Sequence, residues 1–349
     1  MRGSAEREKV RFASGDTECV GWHYPGSNGA CVIMAGGGAV TKEPGTDPFA
    51  RPFHEAGFSV LAFDYRRLGE SGGQPRQVVR MKDQVADWQA ALDFAPSLPG
   101  VDPARLAIWG FSLSGGHVFR VAADNPHLAA AIAQTPNADS PVAARKAQRH
   151  QKPVAALRMA GLILRDALGG LVGRPPVLVA LSGEPGTVAL LTTPDGKGGD
   201  AALNPGNKYP DWQQEVAARS VPGFALYRPG RHASRVRCPL LVLVCDQDQS
   251  ALAEPAAEAV RHAPRGELVR MPGGHYEPFL AGHERSVEAE LDFLLRHLAD
   301  TSPGDRATAG AAPASAAATT AAATAATASA PSSGATDPAA ADSARNRSA

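Results

Sequence analysis

The sequence predicts an α/β fold, with a mostly parallel central sheet and helices on both faces, and two observations indicate it. From residue 30 to residue 134, short apolar runs alternate with segments of helical periodicity, which is the order expected for parallel strands joined by crossover helices. The runs at residues 30–35 and 106–109 are continuously apolar, as in strands buried on both faces of a sheet. Because ligands of such sheets bind beyond the carboxyl ends of the strands, the functional residues are expected there.

The expected elements follow in chain order. Two opening strands at residues 10–12 and 19–25 are separated by a Gly-Asp turn. Further strands are expected at residues 30–35, 58–66, 106–109, 128–134, 239–245 and 267–271. Apolar residues at three- and four-residue intervals and polar boundaries predict helices at residues 48–57, 84–95, 254–262 and 288–298, with another directly after the strand at 106–109.

Residues 136–232 interrupt this alternation. Leucines at helical spacing predict an amphipathic helix over residues 157–171, and its charged residues Arg158, Arg165 and Asp166 exclude a membrane-spanning helix. A shorter helix is expected at residues 212–219. We interpret the segment as a helical cap or lid inserted between two strands, because long insertions in compact domains are often functional. Scaffold without a functional role is the alternative.

The composition changes abruptly near residue 301. Residues 301–349 consist mainly of Ala, Thr, Ser, Pro and Gly, so ordering them would cost conformational entropy and bury almost no large side chain. One folded domain is therefore expected over residues 1–300, followed by a disordered tail.

Charge and cysteine usage exclude several classes of protein. Lys plus Arg and Asp plus Glu number 35 each, so no basic field favours nucleic acid. Cys19, Cys31, Cys238 and Cys245 occur singly, which indicates buried thiols in a reducing compartment rather than a disulfide framework. The first residues are charged and lack the apolar core of a signal peptide, and the histidines show no metal-ligand spacing. We expect a cytoplasmic protein with no membrane partner, no metal and no cofactor.

The sequence around Ser112 is typical of a nucleophile elbow, a sharp strand-to-helix turn that presents a serine hydroxyl above a sheet. Gly110-Phe-Ser112-Leu-Ser114-Gly115-Gly116 follows an apolar run and precedes a helical segment. The usual pattern is G-x-S-x-G, and here Ser114 occupies the fifth position, with the glycines displaced by one. Serine is small enough for that position. The alternative is a buried strand followed by an ordinary Gly/Ser turn.

Three side chains are candidates for nucleophilic catalysis. A serine hydroxyl needs a base to take its proton, and the base needs a carboxylate to orient it. We assign Ser112 as nucleophile, His275 as general base and acid, and Asp248 as orienting carboxylate, since the chain order Ser, Asp, His is the one expected for an elbow of this kind.

Each assignment leaves a rival open. Ser114 is the alternative nucleophile, although a packing role is favoured for it on the first helical turn. Asp246 and Asp139, which also follow strands, compete with Asp248, and a residue a few positions beyond the strand end is better placed to reach inward. The glycine run at residues 36–38 follows another buried strand and leaves the backbone free to present N–H donors to an oxyanion, or is simply a flexible loop.

With these residues in place, the chain resembles the α/β-hydrolase superfamily. The resemblance rests on five segments that span the 300-residue domain: residues 34–42, 63–73, 110–116, 240–248 and 272–275. Within the superfamily, the first two segments are similar to polyketide-transferase-like or dienelactone-hydrolase-like bacterial serine esterases. The resemblance implies the α/β-hydrolase fold and an oxyanion hole from the N–H groups of Gly38 and Leu113. That group has a His-Gly pair where this chain has Gly36-Gly37, which alters the loop but not its backbone donors.

The predicted function is hydrolysis of a small-molecule carboxylic ester or thioester through an acyl-enzyme on Ser112. Three alternatives remain: an acyltransferase that uses the same acyl-enzyme, an aminopeptidase-like hydrolase with Glu184 as a weak candidate for binding the amine, and an inactive hydrolase fold that only binds ligands. Substrate identity and oligomeric state are not predicted.

Overall fold

The computed structural model describes residues 7–298, and the tail expected at residues 301–349 lies outside them. Within the described part, eight strands form one sheet. The strands are β1 (Glu8–Ser14), β2 (Thr17–Tyr24), β3 (Cys31–Ala35), β4 (Ser59–Phe63), β5 (Leu106–Phe111), β6 (Ala130–Gln134), β10 (Leu240–Cys245) and β11 (Gly266–Met271). They lie in the order β1-β2-β4-β3-β5-β6-β10-β11, and pairing is antiparallel for β1–β2 and β2–β4 and parallel across the rest. The predicted mostly parallel α/β sheet is confirmed.

Helices lie between strands of this sheet, and the last one follows β11. They are α1 (Lys42–Glu55), α2 (Met81–Phe94), α3 (Leu113–Asp124), α8 (Ala253–Arg261) and α9 (His283–Leu298). The core lies where they cover the sheet: every residue of β3, β4 and β5 is buried, as the continuous apolar runs predict. Trp109 of β5 packs against Phe49 of α1, with ring centroids 5.1 Å apart.

Helix α1 begins at Lys42, earlier than the start near residue 48 that the sequence predicts. The carboxylate of Asp64, beyond the end of β4, accepts hydrogen bonds from the backbone N–H of Lys42 at 2.7 Å and from its ammonium group at 2.8 Å. A side chain distant in sequence therefore satisfies a first-turn donor of the helix, and local sequence carries no sign of it.

The segment between β6 and β10 carries additional elements, and residues 136–232 are called the insertion below. Its helices are α4 (Ser140–Ala147), α5 (Pro153–Leu171), α6 (Gly199–Leu203) and α7 (Val221–Ala225), and in the described part a second sheet of β7 (Leu178–Ser182), β8 (Ala189–Leu191) and β9 (Glu215–Ala217) accompanies them. The boundary of the functional insertion at residues 136–232 stays a prediction.

The prediction of a helix at residues 212–219 is wrong. This stretch contains strand β9, which pairs antiparallel with β7, and a short 3-10 turn follows it. Val216 is fully buried, and the backbone of β9 also bonds with Gln77, which donates to the Glu215 carbonyl at 2.6 Å and accepts from the Ala217 N–H at 2.9 Å. Pairing with a distant strand thus outweighs the local pattern.

All four cysteines are buried free thiols, as the sequence predicts for small apolar residues. Burial raises the pKa of Cys31 to about 12 and that of Cys238 to about 11, so neither is a reactive thiolate. Among residues 7–298, no helix has both the length and the apolar character needed to cross a membrane.

Candidate active site

Ser112 occupies a strained turn between β5 and α3. Its φ of 57° and ψ of −115° lie where a non-glycine residue is uncommon and costs conformational energy. Backbone hydrogen bonds hold it there: its N–H donates to the Gln134 carbonyl at 3.0 Å, and its carbonyl accepts from Gly116 at 2.9 Å and from Asn137 at 3.0 Å. The neighbouring strand β6 and the segment after it therefore fix the elbow that the sequence predicts.

The glycines around Ser112 are required by close backbone approaches. A Cβ on Gly110 would overlap the Ser114 carbonyl and lie 2.8 Å from the Gly115 nitrogen, and one on Gly115 would lie 2.9 Å from the Gly110 oxygen. Real Cβ atoms do not approach this closely, so the first turn of α3 packs onto β5 only with glycine at both positions.

Ser114, the rival nucleophile, is fully buried. Its hydroxyl bonds with the Tyr65 hydroxyl at 2.5 Å and donates to the Gly36 carbonyl. It thereby ties the elbow helix to the glycine loop, whereas the hydroxyl that contacts the histidine is that of Ser112.

Ser112, His275 and Asp248 form a continuous chain of hydrogen bonds. His275 Nε2 lies 2.9 Å from Ser112 Oγ, and His275 Nδ1 lies 2.8 Å from Asp248 Oδ2. The second carboxylate oxygen of Asp248 accepts from the N–H groups of Ser250 at 2.8 Å and Ala251 at 2.7 Å, which fixes its orientation. The structure brings together the three side chains that the sequence singled out.

Burial and charge act in opposite directions on His275, which is 1% exposed. Burial acts to lower the pKa of the imidazole, but the charge and hydrogen bond of Asp248 and the charge of Asp195 outweigh it, so the pKa is raised above its ordinary value. The neighbouring carboxylates thus stabilise the imidazolium that forms when the histidine takes a proton.

The rival carboxylates have other partners. Asp246 pairs with Arg270 at 2.8 Å, and Asp139 caps α4 and pairs with Arg228 at 3.0 Å. Glu184, the candidate for binding an amine, pairs with Lys197 at 2.8 Å, and both side chains are largely exposed.

Gly38 and Leu113 lie beside Ser112 in the wall of one cavity. Leu113 is the first residue of α3, so its N–H has no acceptor within the helix. A Cβ on Gly38 would lie 2.5 Å from the Phe224 ring, so a side chain at this position would force Phe224 to shift.

The cavity has a volume of about 390 Å³ and lies between the sheet and the insertion. Its wall is mostly apolar, with side chains from several insertion elements. They include Met159, Ile163, Leu181, Leu190, Leu203, Trp212 and Phe224. Asp200, which accepts a hydrogen bond from Ser182 at 2.7 Å, is a carboxylate in this wall. The arrangement can hold an uncharged apolar group against the Ser112 hydroxyl.

Asp195, in the insertion, is a site residue that was not predicted from the sequence. Its carboxylate accepts from Gln249 N–H at 2.7 Å, from the Ser250 hydroxyl at 3.0 Å and from His275 N–H at 3.2 Å. Burial acts to raise the pKa of Asp195, but the Gln249 hydrogen bond and the nearby His275 outweigh it and lower the pKa. Asp195 therefore joins the loops that carry Asp248 and His275. The only feature of the sequence that pointed to Asp195 is that an acidic residue stands there in a polar loop.

The described residues contain no group of three or more His, Cys, Asp or Glu side chains that could hold a metal ion.

A sheet of this topology with a serine at the β5–α3 elbow defines an α/β hydrolase, and the chain belongs to the α/β-hydrolase superfamily. The family described as serine aminopeptidase, S33, matches residues 27–179. The quorum-quenching protein AidA of Acinetobacter baumannii is 38% identical over 292 residues, which cover 82% of this chain and 94% of that protein. The predicted superfamily resemblance is confirmed.

Two further relatives match in part, and a solved structure matches in fold. The polyketide transferase ATR5 of Stachybotrys chlorohalonatus is 34% identical over 52% of this chain and 58% of its own length. A thiohydrolase of Eupenicillium brefeldianum is 30% identical over 53% and 58%. The α/β hydrolase GrgF from a Penicillium species superimposes with a TM-score of 0.68 at 23% identity, over 84% of this chain and 99% of that one, which shows the shared fold.

Proposed function

We propose that this protein is a serine hydrolase that cleaves a small-molecule carboxylic ester or thioester through an acyl-enzyme on Ser112. The observation that carries the proposal is the hydrogen-bonded chain from Ser112 through His275 to Asp248, at the wall of an apolar cavity. The name of the relative thiohydrolase favours the same class of chemistry.

Acylation begins when Ser112 Oγ attacks the substrate carbonyl carbon and its proton passes to His275 Nε2. The carbonyl oxygen becomes an oxyanion, which accepts hydrogen bonds from the N–H groups of Gly38 and Leu113. The tetrahedral intermediate collapses, the bond to the alcohol or thiol breaks, and His275 returns its proton to the leaving group. The acyl group is then held as an ester on Ser112.

Deacylation repeats these steps with water. His275 takes a proton from the water as it attacks the acyl carbon, and the carboxylic acid leaves as the proton returns to Ser112 Oγ. Throughout, Asp248 holds the Nδ1–H tautomer and stabilises the imidazolium. An oxyanion-hole donor of this type is commonly worth about a hundredfold in rate.

The cavity indicates which part of the substrate binds where. Its mostly apolar wall is suited to an uncharged acyl chain, because a carboxylate in the acyl part would lie near Asp200, with no Lys or Arg among the lining residues to pair with it. We therefore expect esters and thioesters of apolar acids to be better substrates than esters of charged acids.

An acyltransferase is the second candidate, and the name of the relative ATR5 favours it. The acyl-enzyme would be the same, and an alcohol or amine would replace water. Adding an alcohol to a p-nitrophenyl ester reaction separates the two: a hydrolase forms mainly the acid, and an acyltransferase forms mainly the new ester.

An aminopeptidase-like activity would use Asp200 rather than Glu184 to bind an amine, since Asp200 lines the cavity. A comparison of neutral p-nitrophenyl esters with aminoacyl p-nitroanilides tests this candidate directly. We expect hydrolysis of the neutral esters, and preference for the aminoacyl substrates would contradict the proposal.

A p-nitrophenyl ester series of rising acyl length is the experiment that tests the proposed function. We expect turnover by the wild-type chain and none above background by Ser112→Ala with unchanged circular dichroism. Equal turnover by the two proteins would overturn the proposal.

A further inference from the structure

Helix α5 of the insertion presents an outward apolar face. The residues concerned follow one another at intervals of three and four and therefore lie on one side of the helix. This set, called the α5 row below, is Val154, Leu157, Gly161, Leu164, Leu168 and Leu171. Each member is exposed.

The exposure of the leucines is large: Leu157 is 75% exposed, Leu164 61% and Leu171 83%. The opposite side of the helix holds it to the protein, where Ala155 and Asp166 are buried. Single exposed leucines are ordinary on protein surfaces, but a contiguous row along one helix marks a binding surface.

The charge around the row is strongly one-sided. Residues 140–178 contain seven lysines and arginines and one acid, although the whole chain has no net charge. The acid, Asp166, is buried and bonded to Arg219 at 2.7 Å. Arg158 and Arg165 flank the row, are exposed, and have no ion pair with any residue in the described part of the chain. An anionic surface is the complementary partner.

The other flank of the row leads to the active-site cavity. Ala156 and Ala160 line that cavity and are themselves exposed, so the mouth of the cavity opens beside the row. A lipid surface against the row would therefore lie next to the mouth.

The same charges disfavour an antiparallel second copy of the chain as the occupant. In a two-fold symmetric contact of that kind, the arginine flanks of the two α5 helices would lie on the same side. Arg158 of one copy would then lie near Arg165 of the other, with no exposed acid on the helix to compensate, and such like-charge contacts are costly.

We propose that α5 is an interfacial helix that docks the protein onto an anionic lipid surface, with the α5 row inserted among the acyl chains and Arg158 and Arg165 against the headgroups. A leucine face bordered by arginines is the pattern of helices that lie in the plane of a lipid interface rather than cross it. The proposal departs from the sequence-based expectation of no membrane partner. It does not depend on the proposed hydrolysis.

Co-sedimentation with vesicles tests the apolar part of the proposal. The full chain is centrifuged with vesicles of equal parts phosphatidylglycerol and phosphatidylcholine, and with phosphatidylcholine alone. We expect binding to the anionic vesicles, weaker binding to the neutral ones, and a loss of at least about tenfold in the partition coefficient for Leu164→Gln/Leu168→Gln. Glutamine keeps a high helix propensity. Leu295→Gln, at a 49% exposed position of α9, is the control and should bind like wild type.

Charge variants test the headgroup contacts. Arg158→Gln/Arg165→Gln should lose about fivefold per arginine on anionic vesicles, and added salt should weaken wild-type binding. Lys82→Gln, at an exposed position of α2, is the matched control and should bind like wild type.

Three results would overturn the proposal. In the first, the wild-type protein stays in the supernatant with anionic vesicles. In the second, Leu164→Gln/Leu168→Gln binds the vesicles as well as wild type does. In the third, sedimentation velocity shows a wild-type dimer that the same two substitutions dissociate. The last result would assign the row to a second copy. None of these readouts measures ester cleavage, so they remain informative whether or not the protein hydrolyses esters.

Discussion

The carboxylate of Asp195 accepts a hydrogen bond from the backbone N–H of His275, over a distance of 3.2 Å. The same carboxylate accepts from Gln249 and Ser250, which directly follow Asp248. A residue of the insertion therefore holds both the loop that carries Asp248 and the loop that carries His275. This contact couples the insertion to the chemistry more directly than its role as a cavity wall does.

Replacing Asp195 is expected to alter the pH profile. The negative charge of Asp195 raises the pKa of His275, and the base must be neutral to take a proton. Asp195→Asn should therefore lower the pKa of His275 and shift the acid limb of kcat/KM to lower pH. The measurement is kcat/KM for a neutral ester between pH 4 and pH 9 (about five units, spanning the usual histidine range). An acid limb that stays in place or moves to higher pH would contradict this role.

Replacing Asp248 should slow turnover while leaving substrate binding nearly unchanged. Without its carboxylate, the tautomer of His275 is no longer fixed and the imidazolium loses its partner, so we expect kcat to fall by about 10³–10⁴-fold for Asp248→Asn. Asp246→Asn is the matched control, because Asp246 bonds with Arg270 at the surface and such pairs contribute little. A larger loss for Asp246→Asn would reverse the assignment.

Ser114 should matter for stability more than for chemistry. Ser114→Ala removes the partner of the buried Tyr65 hydroxyl and the contact with Gly36, which should cost about 1–3 kcal/mol in the free energy of unfolding. A fluorophosphonate probe should still label the variant, whereas Ser112→Ala should lose the label. Denaturant unfolding and gel fluorescence measure the two effects, and a label that follows Ser114 instead would exchange the two roles.

Gly110 and Gly161 form a contrasting pair. A Cβ on Gly110 would overlap the Ser114 backbone, whereas nothing lies within 4 Å of a Cβ on Gly161. Gly110→Ala should lower the melting temperature and abolish activity, because α3 can no longer pack at the elbow. Gly161→Ala, inside helix α5, should stabilise by up to about 1 kcal/mol. Thermal unfolding compares them, and equal melting temperatures would count against the tight elbow.

The sequence predicted the parts of the site that have local signatures. Ser112 was identifiable because glycines and a strand-to-helix change surround it, and His275 because a Gly-Gly pair precedes it beyond a strand. Asp248 was preferred over Asp246 from its position alone, and the structure places Asp248 at 2.8 Å from His275. The order of strands and helices followed from apolar periodicity in the same way.

The parts that sequence analysis missed depend on contacts between distant residues. Asp195 meets the loop of His275 across 80 positions of the chain, and strand β9 exists because β7 lies beside it. Helix α1 starts early because Asp64 bonds with its first turn. None of these contacts leaves a local pattern, since each depends on how the folded chain packs.

The most direct test of the proposed acyl-enzyme is to trap it. The wild-type chain is mixed with a p-nitrophenyl ester, quenched in acid within the first turnover, and digested for mass spectrometry. The account predicts one acyl group on the peptide that contains Ser112, and fragmentation of that peptide should locate the group on Ser112. Ser112→Ala should carry no adduct. An adduct on another residue, or turnover of the ester by Ser112→Ala at the wild-type rate, would contradict it.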